Sequence, residues 1–133
     1  MNHKNHERGA VAVEFGLAFL LFMFVVYGTM EFGRLVASYN ILAGAAREAT
    51  RYASVHGSAS GGAATSSDIQ DLVRRWAVGL DTGAVAVTTT WTPGNGPGST
   101  VKVQAIYTAV PFTALILKNS ITLQSSSQMV ISQ

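Results

Sequence analysis

"RGAVAVEFGLAFLLFMFVVYGTMEFGR", residues 8–34, decides the architecture of this chain. Residues 10–30 hold one charge, Glu14, and no proline. At ~1.5 Å rise per residue such a run makes a helix about 31 Å long, close to the ~30 Å of a bilayer's hydrocarbon core. Two other readings compete. A cleavable secretory signal has a shorter apolar centre followed by a small-x-small site. Here the run ends in "YGTMEFGRL", with Glu31 and Arg34 where that site belongs. A buried core helix needs cover on every side, more than the small sheet encoded downstream can give. The length and flanks favour a single membrane span. Glu14 is then a carboxylate near the edge of the span, and ionisable residues in such places are functional candidates because they cost roughly 2.5–3.5 kcal/mol to insert.

Lys4 and Arg8 precede the span, with His3 and His6 beside them. Positive-inside bias places this tail in the cytoplasm and everything beyond Met30 outside, which in a bacterium is the periplasm. The expected plan is a cytoplasmic piece over 1–9, a transmembrane segment over 10–30 and a periplasmic head over 31–133.

Composition agrees with a chain partly in lipid. Of the 133 residues 48% are hydrophobic and only 12% charged, about half the usual charged share. The net charge of +2 is spread out, with no polybasic run to neutralise phosphates, so nucleic acid is not an expected partner. The absence of cysteine excludes disulfides, thiolate metal sites and cysteine nucleophiles.

Nothing breaks the helical pattern after the span. In "MEFGRLVASYNILAGAAREATRYASV", Leu35, Tyr39, Leu42, Ala46, Ala49 and Ala53 fall at three- and four-residue spacing, the stripe of an amphipathic helix. Arg34, Ser38, Arg47, Glu48 and Arg51 lie mostly off it. One helix is predicted from about residue 10 to about 55. "HGSASGGAATSSD" reads as a loop. Ser66 or Ser67 is the expected cap of a second helix over "DIQDLVRRWAVGL", whose early Asp68 and late Arg74 and Arg75 suit the helix dipole. "AVAVTTTW" and "STVKVQAIYTAV" alternate as strands around the turn "TPGNGPG"; "PFTALILKN" is an apolar connector and "SITLQSSSQMVIS" a third strand. The fold class is α+β: a long N-terminal helix, transmembrane then amphipathic, packed on a small three-stranded antiparallel sheet with a second, shorter helix.

No set of residues argues for catalysis. "LDTG", residues 80–83, matches the aspartic-protease turn in three letters, but that chemistry needs paired carboxylates, and here the motif is read as a helix C-terminal turn with Gly83 at positive φ. His3 and His6 have no third ligand nearby in sequence, too few for a metal site. "GNGPG" precedes a strand and lacks the Gly-Lys-Ser/Thr ending of a phosphate loop. His56 has no carboxylate beside it in sequence to make a nucleophile–base pair. The expectation is a non-enzyme without metal or cofactor.

Two stretches resemble the TadE/TadF pseudopilins. "RGAVAVEFGLAF" resembles their processing site, a glycine, then four residues, then Glu-Phe. "MEFGRLVASYNILAGAAREATRYAS" resembles the rest of the TadE-like signature. The chain departs from the family pattern in lacking a proline in the span and in carrying Ala49-Thr50 where Gly-Ala is common. The resemblance implies a minor pilin of a tight-adherence (Tad, Flp, type IVc) pilus used in adhesion and biofilm formation. A prepilin peptidase would cut between Gly9 and Ala10 and remove a leader of nine residues. Other implied partners are further pilins and pseudopilins, Tad inner-membrane assembly proteins and the bilayer.

Such a cut leaves a new α-amino group, ordinarily of pKa about 7.7–8.0 and mostly cationic near pH 7. A carboxylate in low dielectric costs far less beside a cation. Glu14 could pair with the ammonium of its own helix or with that of a neighbour, and the second arrangement would set the stagger between subunits. Phe15 is either a peptidase recognition residue or lipid-facing bulk. The rival class is an uncleaved, single-pass anchored periplasmic binding module.

Overall fold

Helix α1 spans His3–Val55, 53 residues without interruption, in a computed structural model that describes residues 3–111 and 119–132, with side chains from residue 9 onward. The predicted start near residue 10 is seven residues late. Once a helix this long is nucleated, each further residue adds a hydrogen bond at little cost, and residues 3–9 hold no proline and only one glycine. The imidazoles of His3 and His6, and residues 112–118 of the connector "PFTALILKN", lie outside the described part.

Three strands, β1 (Val85–Thr92), β2 (Thr100–Ala109) and β3 (Ile121–Val130), form an antiparallel sheet in the order β1-β2-β3. Val103 lies between Thr89 and Ser127, and Tyr107 between Val85 and Leu123. Period-two alternation puts Val101, Val103, Ala105, Tyr107 and Ala109 of the central strand on the buried face. Lys102 and Thr108, between them, are exposed.

The second half of α1 covers that face. Its buried stripe is Glu31, Ser38, Leu42, Ala45, Ala46, Ala49, Thr50 and Ala53, with Leu35 packed alongside. The helix is turned relative to the predicted stripe: Tyr39 is 46% exposed and Ser38 is buried. Size explains the difference. Alanines at 45, 46, 49 and 53 let helix and sheet approach closely, and a phenol ring in that seam would force them apart. Polar members of the stripe use backbone partners: Thr50 Oγ1 donates to the Ala46 carbonyl at 2.7 Å and Ser54 Oγ to that of Arg51 at 2.8 Å. At the far pole the Ser132 amide donates to the Ser54 carbonyl at 2.9 Å, fastening the chain beyond β3 to the end of α1.

Helix α2 (Ser66–Trp76) fills the remaining side, burying Ile69 and Val73 against the core shared with α1 and β1. Its cap is Thr65, one residue ahead of the predicted serines. Thr65 Oγ1 accepts from the Asp68 amide at 3.2 Å, while Asp68 Oδ2 accepts from the Thr65 amide at 3.0 Å, a reciprocal capping box. Ser67 instead shares a hydrogen bond with the Thr65 hydroxyl at 2.8 Å. The helix stops at Trp76, short of the predicted Leu80, and the chain reverses through Gly79 at φ +86°. That left-handed position, not Gly83, needs the glycine. Asp81 then caps a 3-10 turn, Thr82–Ala84, its Oδ1 accepting from the Gly83 amide at 3.0 Å.

The Asp68 carboxyl is held below the ordinary carboxylate range, first by the Thr65 hydroxyl and then by the Thr65 amide. A carboxylate depressed in the folded state stabilises above its unfolded value and loses that effect as pH falls through the folded one. Urea unfolding should therefore find Asp68→Asn less stable than the parent at pH 7, with the difference shrinking as pH falls below the unfolded carboxylate value of ~3.9 and through the lower folded one.

Candidate assembly surface

Residues 9–22 are all exposed, and no residue of the most apolar 18-residue window of α1 is buried. Such a surface suits hydrocarbon or another helix, and the stretch is long and apolar enough to cross a membrane.

The four residues singled out at its start share this surface. Gly9 and Ala10 lie inside the helix, and a Cβ built on Gly9 meets nothing within 4 Å. Packing within the chain gives no reason for a glycine there, so a need for the missing side chain must come from outside. Glu14 is exposed and, among the described side chains, forms neither of the two ion pairs seen, Glu31 with Arg34 and Glu48 with Arg51. It follows Ala10 by four residues, which puts the two on one helix face about 6 Å apart along the axis. Phe15, 71% exposed, stacks on Phe19 with ring centroids 6.2 Å apart, making an aromatic ridge beside the carboxylate.

Glu31 and Arg34 lie three residues apart where the exposed apolar stretch gives way to the packed half of α1. Arg34 Nη2 does donate to Glu31 Oε1 at 2.5 Å, but it also donates to the Val110 carbonyl at 2.8 Å. The guanidinium thus joins the first turn beyond the span to the end of β2. Glu31 is 7% exposed and belongs to the buried stripe. The signal that could have revealed this is a carboxylate and an arginine at the edge of an apolar run, where an arginine's five fixed donors can serve two acceptors at once.

His56 and Asp81, two other residues weighed for chemistry in the sequence, have local partners. His56 stacks on Tyr52, centroids 4.0 Å apart, and its Nδ1 lies 2.9 Å from the Tyr52 carbonyl, so it closes the end of α1. Asp81 is engaged in capping.

Residues 9–51 match the family model for TadE-like proteins. Over that stretch the chain is similar to TadE-like proteins. The matched third of the sequence begins at Gly9, includes Glu14, Phe15 and the Glu31–Arg34 tie, and ends near the top of α1. The match stops before α2 and the strands. No curated protein and no solved structure matches the chain.

Removing the Arg34 guanidinium deletes a charge-assisted bond to Glu31 and another to the Val110 carbonyl. Such bonds contribute about 1.5–3 kcal/mol when sheltered. With Arg34 itself 37% exposed, Arg34→Ala should lower unfolding stability by about 1–2 kcal/mol, measured with denaturant in detergent micelles.

Proposed function

We propose that the chain is a TadE-like minor pilin, or pseudopilin, that a prepilin peptidase matures by cutting between Gly9 and Ala10. It then takes part in assembling a Tad pilus used for adhesion and biofilm formation. In this reading residues 10–30 cross the bacterial inner membrane, the tail is cytoplasmic, and the head is periplasmic or carried outward in the fibre. Its role is structural, not catalytic. The partners are the peptidase, other pilins and pseudopilins, Tad inner-membrane assembly proteins and the lipid itself.

The observation that carries this reading is the uncovered half of α1, which bears an exposed carboxylate one turn beyond the proposed cut. Cutting there creates an ammonium on the same helix face. Glu14 then neutralises either that group or its counterpart on an adjacent subunit, and we favour the adjacent subunit. An ion pair between helices in lipid is directional and sets their stagger. Proteolysis would in this way convert a precursor with an unmatched carboxylate into a subunit able to stack.

Mass analysis of the membrane-extracted protein tests the cut. The reading expects a chain starting at Ala10, and an intact Met1 would favour the anchored binding module instead. Gly9→Leu should abolish the mass shift without disturbing the fold, because a side chain at this position meets nothing within the chain.

Glu14→Ala should insert into membranes and be cut as before, yet its co-purification with other pilins should drop to background. Normal assembly of that variant would remove Glu14 from the mechanism.

A further inference from the structure

We infer that the span-side rim of the head, at Val110 just past the end of β2, sits in the headgroup layer of the bilayer, so that lipid contacts the head as well as the anchor. This rests on residues 10–30 being the span. Arg34 is four residues beyond Met30, hence about 6 Å above the hydrocarbon edge for an upright helix. The headgroup layer is about 5–7 Å deep on each side, from a total thickness of ~40–45 Å around a ~30 Å core. Arg34 holds the Val110 carbonyl at 2.8 Å, which keeps the end of β2 close to that height. β3 restarts on the same side, since Ile121 pairs with Ala109.

The side chains at this level fit a lipid surface better than water. Val110 is 72% exposed, and Phe32, on the next turn of α1 after Met30, is almost as exposed. Tyr27, also exposed, lies one turn below the end of the span. Aromatic rings at the interface and an arginine reaching out from the core edge are the usual anchors of that layer. Tyr27, Met30 and Phe32 carry exposed apolar surface from the span up to this level, so the bilayer that would surround α1 reaches the rim without a further partner.

The chain has no cysteine, so one introduced thiol can carry an environment-sensitive fluorophore at a known place. Full-length Val110→Cys, labelled and reconstituted in phosphatidylcholine vesicles, is compared with Thr90→Cys on the exposed far part of β1 and Leu20→Cys within the span. Val110 should give blue-shifted emission that lipids spin-labelled near the headgroup quench strongly, while the Thr90 label stays red-shifted and unquenched. The Leu20 label should be quenched by lipids labelled deep in the chain. If Leu20 is quenched and Val110 behaves like Thr90, the rim stands clear of the membrane and the inference is overturned. A blue-shifted but unquenched Val110 label overturns it too, since protein and not lipid would then cover the rim. An unquenched Leu20 label removes the span reading, and this inference with it.

Discussion

A single unbroken helix carries both an exposed apolar stretch fit for lipid and a stripe packed on a sheet, and the rest of the structure follows from its continuity. In hydrocarbon every backbone donor and acceptor must be satisfied within the segment, so the chain crossing lipid has to be helical. Continuing that helix past residue 30 satisfies the next turn's backbone groups by the same ladder. A break there would expose carbonyls and amides at the membrane edge, where each unsatisfied group costs energy. The head is therefore built onto the end of the anchor, with α1 as the largest element of its core.

The head is narrow because α1 offers it a seam of small side chains. Alanines at 45, 46, 49 and 53 contribute little apolar area each, but they bring the backbone near the sheet, where Leu42, Val101 and Val103 are fully buried. Tight packing substitutes for bulk. Thr50, fully buried in the same seam, costs little because its hydroxyl returns to the helix backbone. Helix α2 closes the side that α1 leaves open. Its capping box and the turn at Gly79 fix where it begins and ends.

Much of this was legible in the amino acids. The apolar run, the amphipathic continuation and the alternating strands carry strong periodic signals, and all three strands and both helices are found where those signals place them. The misreadings were of boundaries and of rotation. Three successive hydroxyl residues, Thr65, Ser66 and Ser67, are equal candidates for a cap by type alone, and only the reciprocal bonds with Asp68 select Thr65. Tyr39 fits the helical period, yet the sheet selects side chains by size, which periodicity does not encode. The bond from Arg34 to Val110 joins residues 76 positions apart: the charge pair at the edge of the apolar run marks Arg34, but no local pattern names the carbonyl it reaches. On the assembly surface, the family resemblance marked Gly9, Ala10 and Phe15 and the lone charge marked Glu14, and all four lie on the exposed part of α1.

The continuity of α1 has a mechanical corollary. With no joint between lipid and sheet, the anchor behaves as a keyed shaft: the compass bearing of Glu14 and the bearing of the head are fixed relative to each other by the helical screw, at about 100° per residue. Any neighbour that engages the carboxylate also dictates which way the globular part points. A turn or lift imposed on the buried end would arrive at the far pole undiminished, carrying the loops there with it.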